Sequence, residues 1–158
     1  MKHIIDISII IPVFNEEDSI AELNNQIISS ISEKYSFEII YINDGSTDTS
    51  KNIIENILKS NSHIKLISFY KNKGKSEALN VGFKKATGNI IIALDSDLQD
   101  DPQEFDKLIN KLNTGFDMVS GWKKDRKDPI SKTLPSKIFN FVLKIITNIK
   151  IHDFNCGI

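Results

Sequence analysis

Ile90-Ile91-Ile92-Ala93-Leu94-Asp95-Ser96-Asp97 decides how the rest of the chain is read. Five apolar residues in a row are short for a helix and apolar enough for a strand buried on both faces. Two carboxylates then arrive where that strand meets solvent. Alternate residues of an extended chain point the same way, so Asp95 and Asp97 can converge on one ion while Ser96 faces elsewhere. Hard oxygen ligands favour Mg2+ or Mn2+, ions that keep positions open for water and substrate phosphates. Two carboxylates are then half a site, and a diphosphate completes it. The same triplet would also serve as a plain strand end followed by a capped turn, so its neighbours must discriminate.

Upstream, apolar runs alternate with helical periodicity. Ile7 to Val13 reads as a buried strand, followed by Ile20, Leu23, Ile27, Ile28 and Ile31 at helical spacing. Phe37 to Asn43 is a second strand, with Ile53, Ile54, Ile57 and Leu58 on one helical face after it. Ile64 to Phe69 is a third, and its helix carries Ala78, Leu79, Phe83 and Ala86 before Gly88 stops it. Ile90 to Leu94 is the fourth. Downstream, Asp101-Pro102 opens a helix with a capping Asp before Pro at the first helical position, and Phe105, Leu108, Ile109 and Leu112 face inward. Met118 to Gly121 reads as a short fifth strand and Ile138 to Ile149 as a final amphipathic helix. Strands alternating with helices predict a doubly wound, mostly parallel α/β sheet flanked by helices.

In such a sheet, ligands bind outside the carboxyl ends of the strands. The polar clusters fall there: Asn15-Glu16-Glu17, Asn43 to Asp48, Lys71 to Lys75, and Asp95 to Gln99. Asp44 is placed to accept from a base edge or from ribose hydroxyls, or else to cap the turn that Asp-Gly-Ser-Thr-Asp would make; Asp48 reads as a cap. Lys71, Lys73 and Lys75 around Gly74 supply positive charge where backbone can approach a phosphate, unless they are simply a solvated loop. Neither G-x-x-x-x-G-K-[ST] nor G-x-G-x-x-G is present, which argues against P-loop and dinucleotide-binding folds.

At 158 residues, with 40% hydrophobic and 26% charged residues and a net charge of −1, the chain has the bulk of one ordinary globular domain and not of a nucleic-acid binder. Its charge is uneven. Eight Lys/Arg against two Asp between Trp122 and Lys150 give that stretch +6 and leave −7 elsewhere. A basic segment of this kind suits an anionic substrate or phospholipid surface, or a solvated helix face. The single Cys156 forms no internal disulfide. Asp6 follows too few apolar residues for a signal peptide, and no stretch reaches the roughly 20 apolar residues of a spanning helix, so the expectation is a soluble or membrane-peripheral chain.

These segments together resemble the family 2 glycosyltransferases, whose catalytic domain has the GT-A fold. The likeness rests on Ile9 to Glu17, Asn43 to Asp48, Asn72 to Lys75 and, most specifically, Leu94-Asp95-Ser96-Asp97-Leu98-Gln99-Asp100-Asp101-Pro102. That last block, with Gly121 to Asp128 and Asp153 to Gly157, is similar to the branch that includes dolichol-phosphate mannosyltransferases and undecaprenyl-phosphate sugar transferases. The resemblance implies a single GT-A domain over 1–158, stopping at Ile158 where that branch continues, and hence a chain truncated at its C-terminus. It assigns Pro12, Phe14 and Glu16 to a nucleotide pocket, Asp44 to the base or ribose, and Lys75 to the neighbourhood of the donor. Asp95 matches a carboxylate facing ribose or metal, Asp97 and Gln99 match metal ligands beside the diphosphate, and Arg126 matches a phosphate contact. Two departures stand out. Asn43 replaces a common Asp, and Lys123 replaces a common Arg, giving up bidentate phosphate binding while keeping the charge.

The activity so implied is inverting transfer of a sugar from a UDP- or GDP-linked donor to a polyprenyl phosphate, assisted by Mg2+ or Mn2+, at the cytoplasmic face of a membrane. A saccharide hydroxyl is the alternative acceptor and would require a base, for which Asp153 is the candidate; its neighbour His152 reads as incidental. A non-catalytic nucleotide-sugar-binding module is a further alternative. The stripe Ile138, Phe141, Val142, Ile145, Ile146 and Ile149, and with it Trp122, fits either a membrane interface or an ordinary core.

Overall fold

The computed structural model describes residues 5–31 and 33–121. The chain divides into two compact units, Met1–Phe105 and Asp106–Ile158. The first is an alternating α/β unit: β1 (Ile7–Val13), α1 (Ile20–Ile31), β2 (Phe37–Asn43), α2 (Ser50–Ser60), β3 (Ile64–Ser68), α3 (Lys75–Lys85) and β4 (Ile90–Ala93), then a 3-10 turn at Pro102–Glu104. All strand pairs are parallel, in the order β3-β2-β1-β4, with Ile7 opposite Phe37 and Ile90, and Ile39 opposite Ile64. β3 and β4 are each one residue shorter than the apolar runs suggest, but the Phe69 and Leu94 amides still donate to Asn43 and Ile10 and prolong the ladder.

The central strands are buried on both faces, which explains why β1 and β2 are continuous isoleucine-rich runs. Ile10, Ile40 and Ile42 face α3 and pack with Ala78. The alternate set reaches the other face, where the Tyr41 hydroxyl meets Asn24 Oδ1 of α1 at 3.4 Å. Burial of each such side chain contributes about 2 kcal/mol.

α3 keeps most of the expected apolar face, with Ala78 buried and Leu79 and Ala86 packed against the core, and departs from it at Phe83. Its buried residues are Ala78 and Gly82, whereas Phe83 is 48% exposed. A Cβ at position 82 would run into Ile10 Cγ2, so the helix lies close to the sheet at Gly82. Gly88 also differs from expectation. The helix closes at Ala86 in extended conformation, and Gly88 is needed because a Cβ there would lie 2.6 Å from the Ser8 amide nitrogen.

At the amino end of the sheet, Glu38 is buried on β2 and accepts from Ser8 Oγ at 2.6 Å, Thr87 N at 2.7 Å, Thr87 Oγ1 at 2.8 Å and Lys65 Nζ at 2.5 Å. Burial alone would raise its pKa; the Lys65 ammonium and the three neutral donors outweigh it and hold the carboxyl down at about 2.

Asp101 caps the 3-10 turn through Gln103 N at 2.9 Å with Pro102 at its first position, as the sequence predicts. α4 (Phe105–Leu112) continues from that turn. In the second unit, Gly115 has φ +103 and Lys111 Nζ lies 4.6 Å from the Phe116 ring centroid. The expected strand at Met118–Gly121 does not form: those residues are irregular, with Met118 exposed and Val119 only half-buried. Among the described residues no helix is long and apolar enough to cross a membrane. The Ile138–Ile149 helix, Trp122 and His152 lie outside the described residues.

Candidate functional site

The strand-end loops are laced to one another by their own polar side chains. Asn15, at φ +58, accepts from Thr47 N at 2.8 Å, and its amide donates to Ser46 Oγ at 3.0 Å. The Glu16 amide donates to Ser50 Oγ at 2.9 Å, and Glu17 Oε2 accepts from Thr49 N at 2.8 Å. Asp48 accepts from Ser50 N and Glu17 N, a turn just ahead of α2 whose N-cap residue is Thr49, one position later than the cap expected from sequence. Burial pushes its carboxyl up, and hydrogen bonds from Ser50 and the Glu17 amide overcome that and hold it below the usual range. Asn43 closes the turn by accepting from Ser46 N at 3.1 Å, a local role that its amide oxygen fills as well as a carboxylate would.

Asp44 joins the second loop to the third. It is buried, and its two oxygens accept from Lys73 N at 2.7 Å and Gly74 N at 2.9 Å. Each carboxylate oxygen retains a second lone pair for a ligand. Gly45 permits the close approach and Gly74 the turn of the chain. Gly45 has φ +71, and a Cβ on it would sit 2.5 Å from the Lys71 carbonyl carbon; Gly74 has φ +92 and leads into α3. Lys75, the first residue of that helix, reaches the fourth loop, where its Nζ pairs with Asp95 Oδ1 at 2.5 Å.

Between them lies a cleft of about 300 Å3, at the small end of the range for small-molecule sites. Pro12, Phe14, Glu16, Asp44, Lys75, Asp95 and Asp97 all line it. These seven residues come from the carboxyl end of β1 and the loop after it, the loop after β2, the start of α3 and the loop after β4. The location follows from topology. Strand order runs from β1 outward to β3 and then returns to the other side of β1 for β4, so the carboxyl ends of β1 and β4 flank the switch point of the sheet. Ser96, expected to face elsewhere, also borders the cleft, and its hydroxyl donates to the Pro12 carbonyl at 3.0 Å, tying the fourth loop to the first.

The donor set suits an oxygen-seeking cation only in part. Asp95 and Asp97 face one cleft, and Asp97 Oδ1 accepts from Gln99 N at 3.1 Å, a turn held by Leu98 at φ +61. Among the described residues no three acidic, His or Cys side chains form a cluster. Two carboxylates fit a divalent ion whose remaining positions go to water and phosphate oxygens. Gln99 is exposed and does not line the cleft. Arg126 and Asp153 lie outside the described residues. Val13 and Asn72 also line the cleft; the stretches Ile9 to Glu17 and Asn72 to Lys75 contain them, but neither carries a charge and neither was assigned a role from sequence.

Comparison with known proteins is consistent with this geometry. Residues 8–157 match the family described as Glycosyl transferase family 2. An undecaprenyl-phosphate 4-deoxy-4-formamido-L-arabinose transferase of Shewanella sediminis (strain HAW-EB3) is 37% identical over 99% of this chain and 49% of its own length. A dodecaprenyl-phosphate galacturonate synthase of Rhizobium johnstonii is 30% identical over 98% of this chain and 47% of its own. The chain therefore spans about half the length of the curated relatives it matches. Among solved structures, S. aureus TarS 1-349 in complex with UDP superposes with a TM-score of 0.59 at 26% identity, over 69% of this chain and 32% of that one. GalNAc-T7 with UDP, GalNAc and Mn2+ superposes at 0.52 with 25% identity, over 61% and 19%. The parallel sheet with its flanking helices has the GT-A architecture of these neighbours. By its match over nearly every residue, the chain belongs to glycosyl transferase family 2.

Proposed function

We propose that this chain is the donor-binding part of a metal-dependent, inverting glycosyltransferase that moves a sugar from a UDP- or GDP-linked donor to a polyprenyl phosphate. The observation that carries the proposal is the convergence of Asp44, Lys75, Asp95 and Asp97 on one cleft at the switch point of the sheet. The named relatives support the acceptor class, since both are polyprenyl-phosphate sugar transferases with different sugars. UDP in two structural neighbours supports a nucleoside diphosphate, and Mn2+ in one supports a divalent ion.

In this mechanism Pro12 and Phe14 form the apolar wall against the base, and Asp44 accepts from its edge or from the ribose. Glu16 closes the pocket beside them. Asp95 and Asp97 would hold Mg2+ or Mn2+, with Gln99 entering the set if its loop turns inward. When bound, the ion supplies Lewis-acid stabilisation of the charge on the leaving nucleoside diphosphate. Lys75 adds a fixed positive charge at the same place. The acceptor oxygen bonds to the anomeric carbon as the bond to the diphosphate breaks, and the electron pair departs on the phosphate oxygen. A lipid phosphate is already anionic near neutral pH and needs no strong base, whereas a sugar hydroxyl would need Asp153 to take its proton. Arg126 would meet a phosphate, and the chain would work as part of a GT-A catalytic domain on the cytoplasmic face of a membrane.

Calorimetric titration of UDP and GDP, each with and without Mn2+, into the chain and into Asp97→Asn tests this. One nucleotide should bind in a metal-dependent way, with affinity about 100-fold lower in the variant. Failure of both nucleotides to bind a demonstrably folded chain would overturn the reading.

A further inference from the structure

Lys75 stands where a cation is wanted. Its ammonium pairs with Asp95 and leaves Asp97, whose Oδ1 is taken up by the Gln99 amide. The pairing is built into the loop. Asp44 fixes the amides of Lys73 and Gly74, Gly74 turns the chain at φ +92, and α3 begins with Lys75 aimed across the rim. Two carboxylates one residue apart on one cleft repel, and a tethered ammonium removes much of that repulsion without any ligand.

We propose that Lys75 is the resident counter-ion of Asp95 and makes divalent-cation uptake conditional on a nucleoside diphosphate, an inference that rests on the nucleotide-binding reading above. The Lys75 side chain is 57% exposed, so the pair is cheap to open. A bare divalent ion must approach Asp95 against the ammonium's charge, which weakens the pair and sets two positive charges side by side. A diphosphate arriving with the ion gives the ammonium new oxygens, so that one exchange satisfies both cations. Lys75 therefore opposes the metal alone and favours the metal with nucleotide, and its removal has effects of opposite sign on the two.

The test is a Mn2+ titration followed by loss of the free-ion electron paramagnetic resonance signal, on the chain and on Lys75→Met, without nucleotide and with UDP or GDP. Met keeps much of the stem, and circular dichroism verifies folding. Lys75→Met should bind Mn2+ alone about fivefold more tightly and bind nucleotide in the presence of Mn2+ about tenfold more weakly. Lys75→Arg should restore the original behaviour in both arms. Unchanged or weaker binding of Mn2+ alone in Lys75→Met, while the parent chain still takes up nucleotide with Mn2+, overturns the counter-ion role and leaves the nucleotide site standing. If the parent chain takes up neither nucleotide with Mn2+, both fall.

Discussion

The two ends of the sheet use carboxylates in opposite ways. At the amino end, Glu38 is buried among Ser8, Lys65 and both donors of Thr87, and its demand for hydrogen bonds is met within the fold. At the carboxyl end, Asp95 holds one lysine and Asp97 one backbone amide, and both border open space. A carboxylate whose donors are supplied by the fold stabilises it, and one left undersupplied is available to a ligand. Asp44 is in between, buried like Glu38 and facing the cleft like Asp95, with both oxygens on backbone amides.

That contrast is open to direct attack. Glu38→Ala strands the donors of Ser8 and Thr87 and should cost about 3 to 5 kcal/mol in urea unfolding; a loss near zero would remove the distinction between the two ends. Acid should act through the same residue. Its folded pKa of about 2 is below the ordinary 4.5, so its contribution is fully present above about pH 4.5 and is lost as pH falls toward 2. Chemical unfolding across that window should show roughly 2 to 3 kcal/mol of pH dependence that flattens in Glu38→Gln. Gly82→Ala drives a methyl against Ile10 and should cost about 1 to 3 kcal/mol, read as a lowered thermal midpoint. Asp97→Asn, at the undersupplied end, should shift unfolding by no more than about 0.5 kcal/mol while removing metal-dependent nucleotide binding.

Much of this was legible in the sequence because the central strands are buried on both faces, and residues such as Ile9, Ile10, Ile39 and Ile40 leave an unbroken apolar signature. The rim was legible for a related reason: polar clusters directly after such runs can only fall at strand ends. Other features left weaker traces. Large apolar residues mark a helix face, and in α3 Ala78, Leu79 and Ala86 follow that rule, while the closest approach is made by Gly82 and Phe83 is exposed. Glu38 lies within the run Phe37 to Asn43 with nothing local to mark its role, and its partner Thr87 is 49 positions away. Its one visible sign was Ser8, a polar residue at the matching position of the neighbouring strand. The lacing of Asn15 and Glu17 to Thr47 and Thr49 has no local signal, because either loop alone would pass for an ordinary capped turn.

Strand order also fixes when the cleft can exist. The bond from Ser96 to the Pro12 carbonyl spans 84 positions, and β1 must hold its free edge open until β4 has been made. Contacts of such long separation close late, after the loop-closure entropy has been met. On the ribosome, β1, β2 and β3 can assemble into a three-stranded sheet while the aspartates that complete the cleft are still inside the exit tunnel or not yet synthesised.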